Sequence, residues 1–371
     1  MDVGDKMEER RRRRWLPHIS NTHKIWFALG LILLGFVLSL LSRYIAGFAN
    51  GYYTYVYRYI SVIVAFLCNL VPFSIAEISL YVLFLLFMKN VFYGFFVIVR
   101  QKGRRKPYWI RVGCNGLLLF SVIFFLFVAF CGTNYHKTSF AVKENFSEKH
   151  YGKEDLKEVC EYLTNEINKL QDKEILYTNI RQMSREAMTN LSKTYGSLKG
   201  YYPKPKYLLF AEILSYQQVS GIYSFYTIEA NYNSDMPLYE QPFTMCHELA
   251  HLKGIMKEEE ANFVSYLACS NSESLAFQYS GAMLAYSYCM NELYNYDVEA
   301  YKEIRAKLCD KANEDIAIKH AFWDKYEGTI SKLQTKVNDA YLKANSQPSG
   351  VSSYNEVVAL IVNDYLRKNH K

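Results

Sequence analysis

Cys246-His247-Glu248-Leu249-Ala250-His251, followed by Gly254 and then by Glu258-Glu259-Glu260-Ala261-Asn262, is the stretch from which the rest of the chain can be read. On a helix, positions i and i+4 share a face, so His247 and His251 can grip one metal ion together. Glu248, one residue on, can reach a water in an open coordination position. Two imidazoles, a third protein ligand, an open position and a carboxylate base make up the arrangement of zinc hydrolases. A solvated helix face could carry the same letters, but the flanks oppose that reading. Leu249, Ala250 and Leu252 are apolar, so the helix is packed and its histidines need partners. Pro242 suits the first turn of this helix and Gly254 its C-terminal cap.

Three glutamates compete for the third ligand position. In a helix starting near Glu258, the residues Glu258, Ala261, Asn262, Ser265 and Cys269 fall on one face, polar at its start and small along its length. Such a face can pack closely against the HExxH helix, which selects Glu258. Glu260, Val264 and Leu267 fall on another face. Asn262, one turn on, can hydrogen-bond a ligand histidine and fix its tautomer. The cluster as a whole also suits a helix start, where the macrodipole favours carboxylates.

HELAH followed by ExxxN resembles the gluzincin branch of zinc metallopeptidases. That resemblance places the second-helix ligand on Glu258, with Asn262 where Asp is usual. The metzincin pattern HExxHxxGxxH is matched as far as Gly254, but Lys257 stands at the third-histidine position and is a poor zinc ligand near neutral pH. A broader resemblance rests on Ser224-Phe225-Tyr226-Thr227-Ile228-Glu229-Ala230-Asn231, Pro242-Phe243-Thr244, the HELAH and EEEAN segments, Tyr279-Ser280-Gly281 and Gly350-Val351-Ser352-Ser353-Tyr354. Together these are similar to a family of bacterial membrane proteins with N-terminal spans and a zincin-like domain, known chiefly as a domain of unknown function. The resemblance implies a membrane-bound metallopeptidase-like protein and supplies no substrate.

The 371 residues suffice for one membrane unit and one sizeable folded domain. Segments 25–42, 78–99 and 112–131 each approach the ~20 apolar residues needed to cross a bilayer. Segment 59–75 is uncharged but contains Asn69 and Pro72 and follows a run of tyrosines, which belong at membrane interfaces. Arg10 to Arg14 and the basic segment 100–111 should share the cytoplasmic side, so an even number of spans separates them. Segment 59–75 is therefore read as interfacial or re-entrant. The expected plan is a basic cytoplasmic N-terminus (1–24), a membrane region (25–131) and an extracytoplasmic zincin-like domain (132–371), anchored in the bacterial cytoplasmic membrane. No small-residue cleavage site follows the first span, so a cleavable signal peptide is not expected. The net charge of +7 is largely explained by the topological clusters and gives no reason to invoke nucleic acid. The spacing of the eight cysteines forms no CxxC pair and indicates no disulfide framework. Cys246 points off the histidine face and reads as a buried structural thiol.

The C-terminal part reads as mainly α with a small sheet. Helices are expected over 154–170, 181–198, 258–270, 273–296, 297–310, around 312–344 and from Tyr354 to Asn369. Strands are expected over 207–210 and 222–228. Segment 223–231 is the candidate for pairing with an extended peptide, as edge strands do, with Glu229 and Asn231 lining the groove or serving as turn and capping residues. Tyr279 is the candidate for the transition-state hydrogen bond that such sites take from a Tyr or His. These readings converge on a membrane-anchored peptidase using Zn²⁺ held by His247, His251 and Glu258, with Glu248 as general base and a peptide or protein as substrate. The alternatives are a membrane sensor that keeps the fold for binding with little turnover, and a protein in which zinc only staples two helices.

Overall fold

The computed structural model describes residues 20–146, 151–345, 347 and 356–369. The arginine run at 10–14 and the segment 350–354 lie outside them. Three helices are long and apolar enough to cross a membrane: α1 (Asn21–Tyr44), α3 (Ile75–Arg100) and α4 (Arg105–Phe130, continued by a 3-10 turn to His136). Between the first two of these, Phe48–Tyr52, a π-helical turn Tyr53–Tyr57 and α2 (Arg58–Asn69) run on as one helix. Serines start two of the apolar helices. The Ser20 and Ser74 hydroxyls accept the amides of His23 and Glu77, satisfying donors that a helix N-terminus leaves open.

α1 and α4 run parallel. Lys24 Nζ, near the start of α1, donates to Asn115 Oδ1 in the first half of α4 at 2.7 Å, and Gly35 in the middle of α1 lies against Phe124, further along α4. A Cβ at Gly35 would stand 2.7 Å from the Phe124 ring, so a larger residue there would have to displace that ring. α3 folds back on α4, with the Tyr108 hydroxyl on the Asn90 carbonyl. The basic segment around Arg100–Arg111 and the start of α1 therefore lie at one end of the apolar bundle. The ends of α1 and α4 and the start of α3 lie at the other, beside the C-terminal region. Phe27, Leu33, Phe36, Leu85, Phe87 and Phe95 project outward, more than half exposed, as suits a lipid-facing surface.

α2 is twelve residues long and is not among the candidate spans. Its inner face joins the core of the C-terminal region, where Ala65 is buried and Val64 packs. Asn69 Nδ2 donates to the Tyr201 hydroxyl. One face of 59–75 thus has a protein partner, while Tyr59, Ile63, Phe66, Leu67 and Leu70 are more than half exposed, and residue 132 is no packing boundary. Phe130 of α4 packs on the same core as Phe140 and Phe146.

A three-stranded sheet, order β1-β3-β2, lies in the C-terminal region. β1 (Lys206–Tyr207) pairs parallel with β3 (Glu229–Tyr232), and β2 (Gly221–Ser224) pairs antiparallel with it, Ile222 opposite Asn231. The strand expected over 207–210 stops at Tyr207, because the amides of Leu209 and Phe210 donate to the Glu77 carboxylate at the start of α3 rather than to the sheet. The strand expected over 222–228 stops at Ser224. Thr227 Oγ1 donates to Ser224 Oγ, and Ile228 has the left-handed φ of a turn, 51°. The long helix expected near 312–344 is two, Asp310–Lys325 and Thr329–Ala344, broken at Gly328, whose amide donates to Ser331 Oγ. The chain is mainly helical around this small sheet.

Glu229 and Asn231 do not line a groove. Glu229 is 3 % exposed; its carboxylate accepts the Ile75 and Ala76 amides at 3.1 and 2.8 Å and pairs with Lys206 Nζ at 2.5 Å. Lys206 in turn donates to the Cys68 carbonyl at 2.7 Å. This buried pair clamps the end of α2 and the start of α3 onto the sheet. Asn231 is 1 % exposed and its amide reaches the Ile222 and Glu229 carbonyls. Both residues belong to the central strand, where side chains are covered; the edge strands are β1 and β2.

Candidate metal centre

The histidines sit on α5 (Gln241–His251), which lies across β2 and β3. Pro242 falls in its first turn, and Gly254 just beyond its end has a φ of +70°. α6 (Glu258–Ser270) packs along α5, and α7 (Leu275–Tyr296) along both. The small face anticipated for α6 makes this approach close. Ser265 Oγ donates to the Phe243 carbonyl at 2.5 Å, and Ser280 Oγ of α7 accepts the Phe243 amide.

This packing brings His247, His251 and Glu258 together, with candidate ligand atoms all within 4.8 Å of one another. His247 Nε2 lies 3.2 Å from Glu258 Oε2, and His251 Nε2 lies 3.8 Å from Glu258 Oε1. Two donors bound tetrahedrally to zinc at about 2.0–2.1 Å stand roughly 3.3 Å apart, so the spacing is of the right size. The other nitrogen of each ring is committed: His247 Nδ1 is 2.8 Å from Asn262 Oδ1, and His251 Nδ1 is 2.6 Å from the Ile255 carbonyl. Both acceptors require Nδ1–H, which leaves each Nε2 lone pair turned to the shared point. Asn262 thus provides the acceptor for His247.

Glu248 is 4 % exposed, and its Oε2 is buried without a hydrogen-bond partner among the described residues. Burial raises its carboxyl to about 8; His247 pulls it down and Glu258 adds to the rise. Burial also lowers the His251 imidazole to about 4, helped by His247 and opposed by Glu258 and the Ile255 carbonyl. Burial would lower His247 too, but the Glu258 and Glu248 carboxylates and Asn262 outweigh it and its pKa rises. One carboxylate and two imidazoles converging in a buried place, with the Glu248 carboxyl beside them, form a donor set that suits a divalent cation. His247 and Glu258 each keep 13 % of their side-chain surface exposed, so the centre is not sealed from solvent. The residues present therefore fit zinc.

The other two glutamates are engaged elsewhere. Glu260 accepts the Ala141 amide, and Glu259 Oε2 accepts from Gln347 Nε2 at 2.8 Å. Cys246 is fully buried beside Cys269, its thiol pushed well up by burial and by that neighbour, and all eight cysteines are free thiols.

Tyr279 is not brought to the histidines. Its hydroxyl donates to Asp315 Oδ2 at 2.5 Å, and its ring meets Tyr239 and the Lys311 ammonium in the core under α7. Its helix phase turns it toward that core. Two other tyrosines lie nearer. The Tyr223 ring centroid is 6.1 Å from that of His251, and Tyr288 feels the Glu258 charge. Tyr57 of the π-helical turn, 1 % exposed, places its hydroxyl 3.2 Å from that of Tyr223 and donates to the Leu252 carbonyl at 3.1 Å. Gly221 of β2 is also part of the site, since a Cβ there would stand 2.6 Å from Glu248 Oε1. Sequence reading missed these four. Tyr57 was hidden in a tyrosine run that reads as membrane interface, whereas Gly221 immediately before a β-branched and aromatic run was a visible sign of close backbone approach.

A HExxH helix and a glutamate-bearing helix, joined to a bundle of apolar helices, define the class: a membrane-associated protein with a candidate metal centre. The chain belongs to the family described as "Protein of unknown function (DUF3810)", whose profile matches residues 52–362 and so takes in both the apolar helices α3 and α4 and the HExxH region. No curated protein and no solved structure matches the chain.

Proposed function

We propose that the protein is a membrane-anchored zinc-dependent peptidase of gluzincin type, with a zincin-like C-terminal domain. The convergence of His247, His251 and Glu258, each imidazole held by an acceptor on its far nitrogen, carries this reading. Zinc bound there would supply a Lewis acid and a water of lowered pKa. Glu248, in the ionised form that a cation beside it would favour, takes the proton as water attacks the peptide carbonyl and delivers it to the leaving amine. Asn262 and the Ile255 carbonyl hold the imidazoles in register, and the edge strand β2 aligns an extended substrate by main-chain pairing. Tyr223, beside His251, is better placed than Tyr279 to meet charge developing on the substrate.

Turnover of a peptide library by the full-length protein in lipid tests the reading. Cleavage should vanish with a chelator and return with zinc. A protein that binds zinc yet cleaves nothing would instead be a binding or signalling protein.

The bacterial cytoplasmic membrane is the proposed location, with the basic end of the helix bundle inside and the C-terminal region outside. This rests on the concentration of Lys and Arg in the N-terminus and in 100–111. Single cysteines in a thiol-free background, one within 100–111 and one at Lys343, can be challenged with an impermeant maleimide on intact cells. Labelling is expected at 343 alone; the reverse pattern would place the site in the cytoplasm.

A further inference from the structure

The candidate site is built against the ends of the apolar helices. Its edge strand β2 runs from Gly221, in contact with Glu248, to Ser224, and the turn that follows enters the helix bundle. Phe225 meets Phe127, in the last turn of α4, edge to face with ring centroids 5.5 Å apart. The Tyr226 hydroxyl lies 2.8 Å from Ser79 Oγ and donates to the Ala76 carbonyl at 3.1 Å, both in the first turns of α3. At about 3.3 Å per residue, Gly221 stands roughly 13 Å from this point.

Separate contacts tie the metal ligands to the same level. Met256, five residues past His251, receives the Cys131 thiol at 3.5 Å, and Cys131 follows the last residue of α4 and lies within electrostatic reach of Glu258. Tyr57 binds the Leu252 carbonyl from the helix between α1 and α3. Beside the start of α3, where the Phe210 ring meets Tyr81, the side chains of Leu209, Phe210 and Ile213 are more than half exposed. Exposed apolar side chains at the mouth of a lipid-facing bundle suit a bilayer surface. Among the described residues, no strand covers the outer side of β2, and Ile222 on it is 49 % exposed.

We propose, resting on the peptidase reading, that the substrates are membrane-anchored proteins or peptides, bound along β2 through the extended segment next to their anchor. A chain leaving the bilayer near Phe127 and Ser79 needs about four extended residues, at roughly 3.3–3.6 Å each, to reach Glu248. The bond cut therefore lies within about ten residues of the anchor. Anchoring also confines substrate and enzyme to one surface, which raises the effective concentration.

The test uses the full-length protein in liposomes and one randomised segment presented in three ways: free in solution, fused to a transmembrane helix through five residues, and fused through thirty. Cut sites are mapped by mass spectrometry. Both anchored forms should be cleaved at least about tenfold faster than the free peptide, as surface confinement implies, and cuts in the long spacer should cluster near the membrane. Equal cleavage of free and anchored peptides, or cuts spread evenly along the long spacer, would overturn the proposal and leave the peptidase reading standing. A second measurement needs no turnover. A bimane on Ile222→Cys, in a background lacking native thiols, should be quenched by lipids carrying a spin label on their headgroups, unlike the same label at Lys302. Equal quenching at the two positions would overturn the membrane placement of the site. Quenching at 222 with no peptide cleaved would instead overturn the peptidase reading, and this proposal with it.

Discussion

Glu248→Gln is expected to keep its zinc and to lose peptide hydrolysis by about 10²–10⁴-fold, the usual contribution of a positioned general base. The amide is nearly isosteric with the carboxylate but cannot take the proton of the attacking water. Glu248 is not among the three groups that converge on the metal position, so metal content should be unaffected. Its close packing against Gly221 leaves the side chain little freedom to turn away, and one of its oxygens is buried without a hydrogen-bond partner among the described residues. The check pairs initial rates with metal content on the same preparations. Hydrolysis within a few-fold of wild type would remove Glu248 from the mechanism; loss of zinc in the variant would make it a ligand instead.

Breaking the Lys206–Glu229 pair should produce the largest loss of stability outside the metal site. Both side chains are almost wholly buried, and both bridge the sheet to the chain that leads into the apolar helices. Glu229→Ala leaves an uncompensated buried ammonium and two helix-start amides without acceptors, a change that costs about 3–5 kcal/mol when a buried ion pair is broken from one side. Replacing both residues by apolar ones of similar volume, Lys206→Met with Glu229→Leu, should recover part of that loss by removing the isolated charge. Thermal unfolding in detergent micelles reads both variants. A Glu229→Ala protein as stable as wild type would mean that the clamp holds nothing.

The convergence of His247, His251 and Glu258 was legible because its sources are local. The i,i+4 spacing of His247 and His251 and the face shared by Glu258, Asn262 and Ser265 are properties of two helices, and periodicity exposes both. The three long apolar helices were legible for the same reason, since length and composition alone define them. What escaped reading depends on contacts between distant segments. Glu229 looked like a groove residue until Ile75, Ala76 and Lys206 arrived from elsewhere in the chain. Tyr279 looked like a catalytic candidate until Asp315, 36 residues away, took its hydroxyl. Tyr57 was counted with the membrane-interface tyrosines, although its hydroxyl sits beneath the C-terminus of the HExxH helix. Strand ends failed likewise, because Glu77 of an apolar helix diverts the amides that would have extended β1.

The central claim is that His247, His251 and Glu258 hold one metal ion. Its most direct test is the zinc content of the purified full-length protein in detergent, measured by mass spectrometry for wild type and for His247→Ala, with Glu258→Gln and Glu260→Gln alongside. About one zinc per chain is expected in wild type and in Glu260→Gln, none in His247→Ala, and a weakened site in Glu258→Gln, because a three-ligand site does not survive loss of an imidazole. Unchanged zinc in His247→Ala, or its loss in Glu260→Gln alone, would contradict the account.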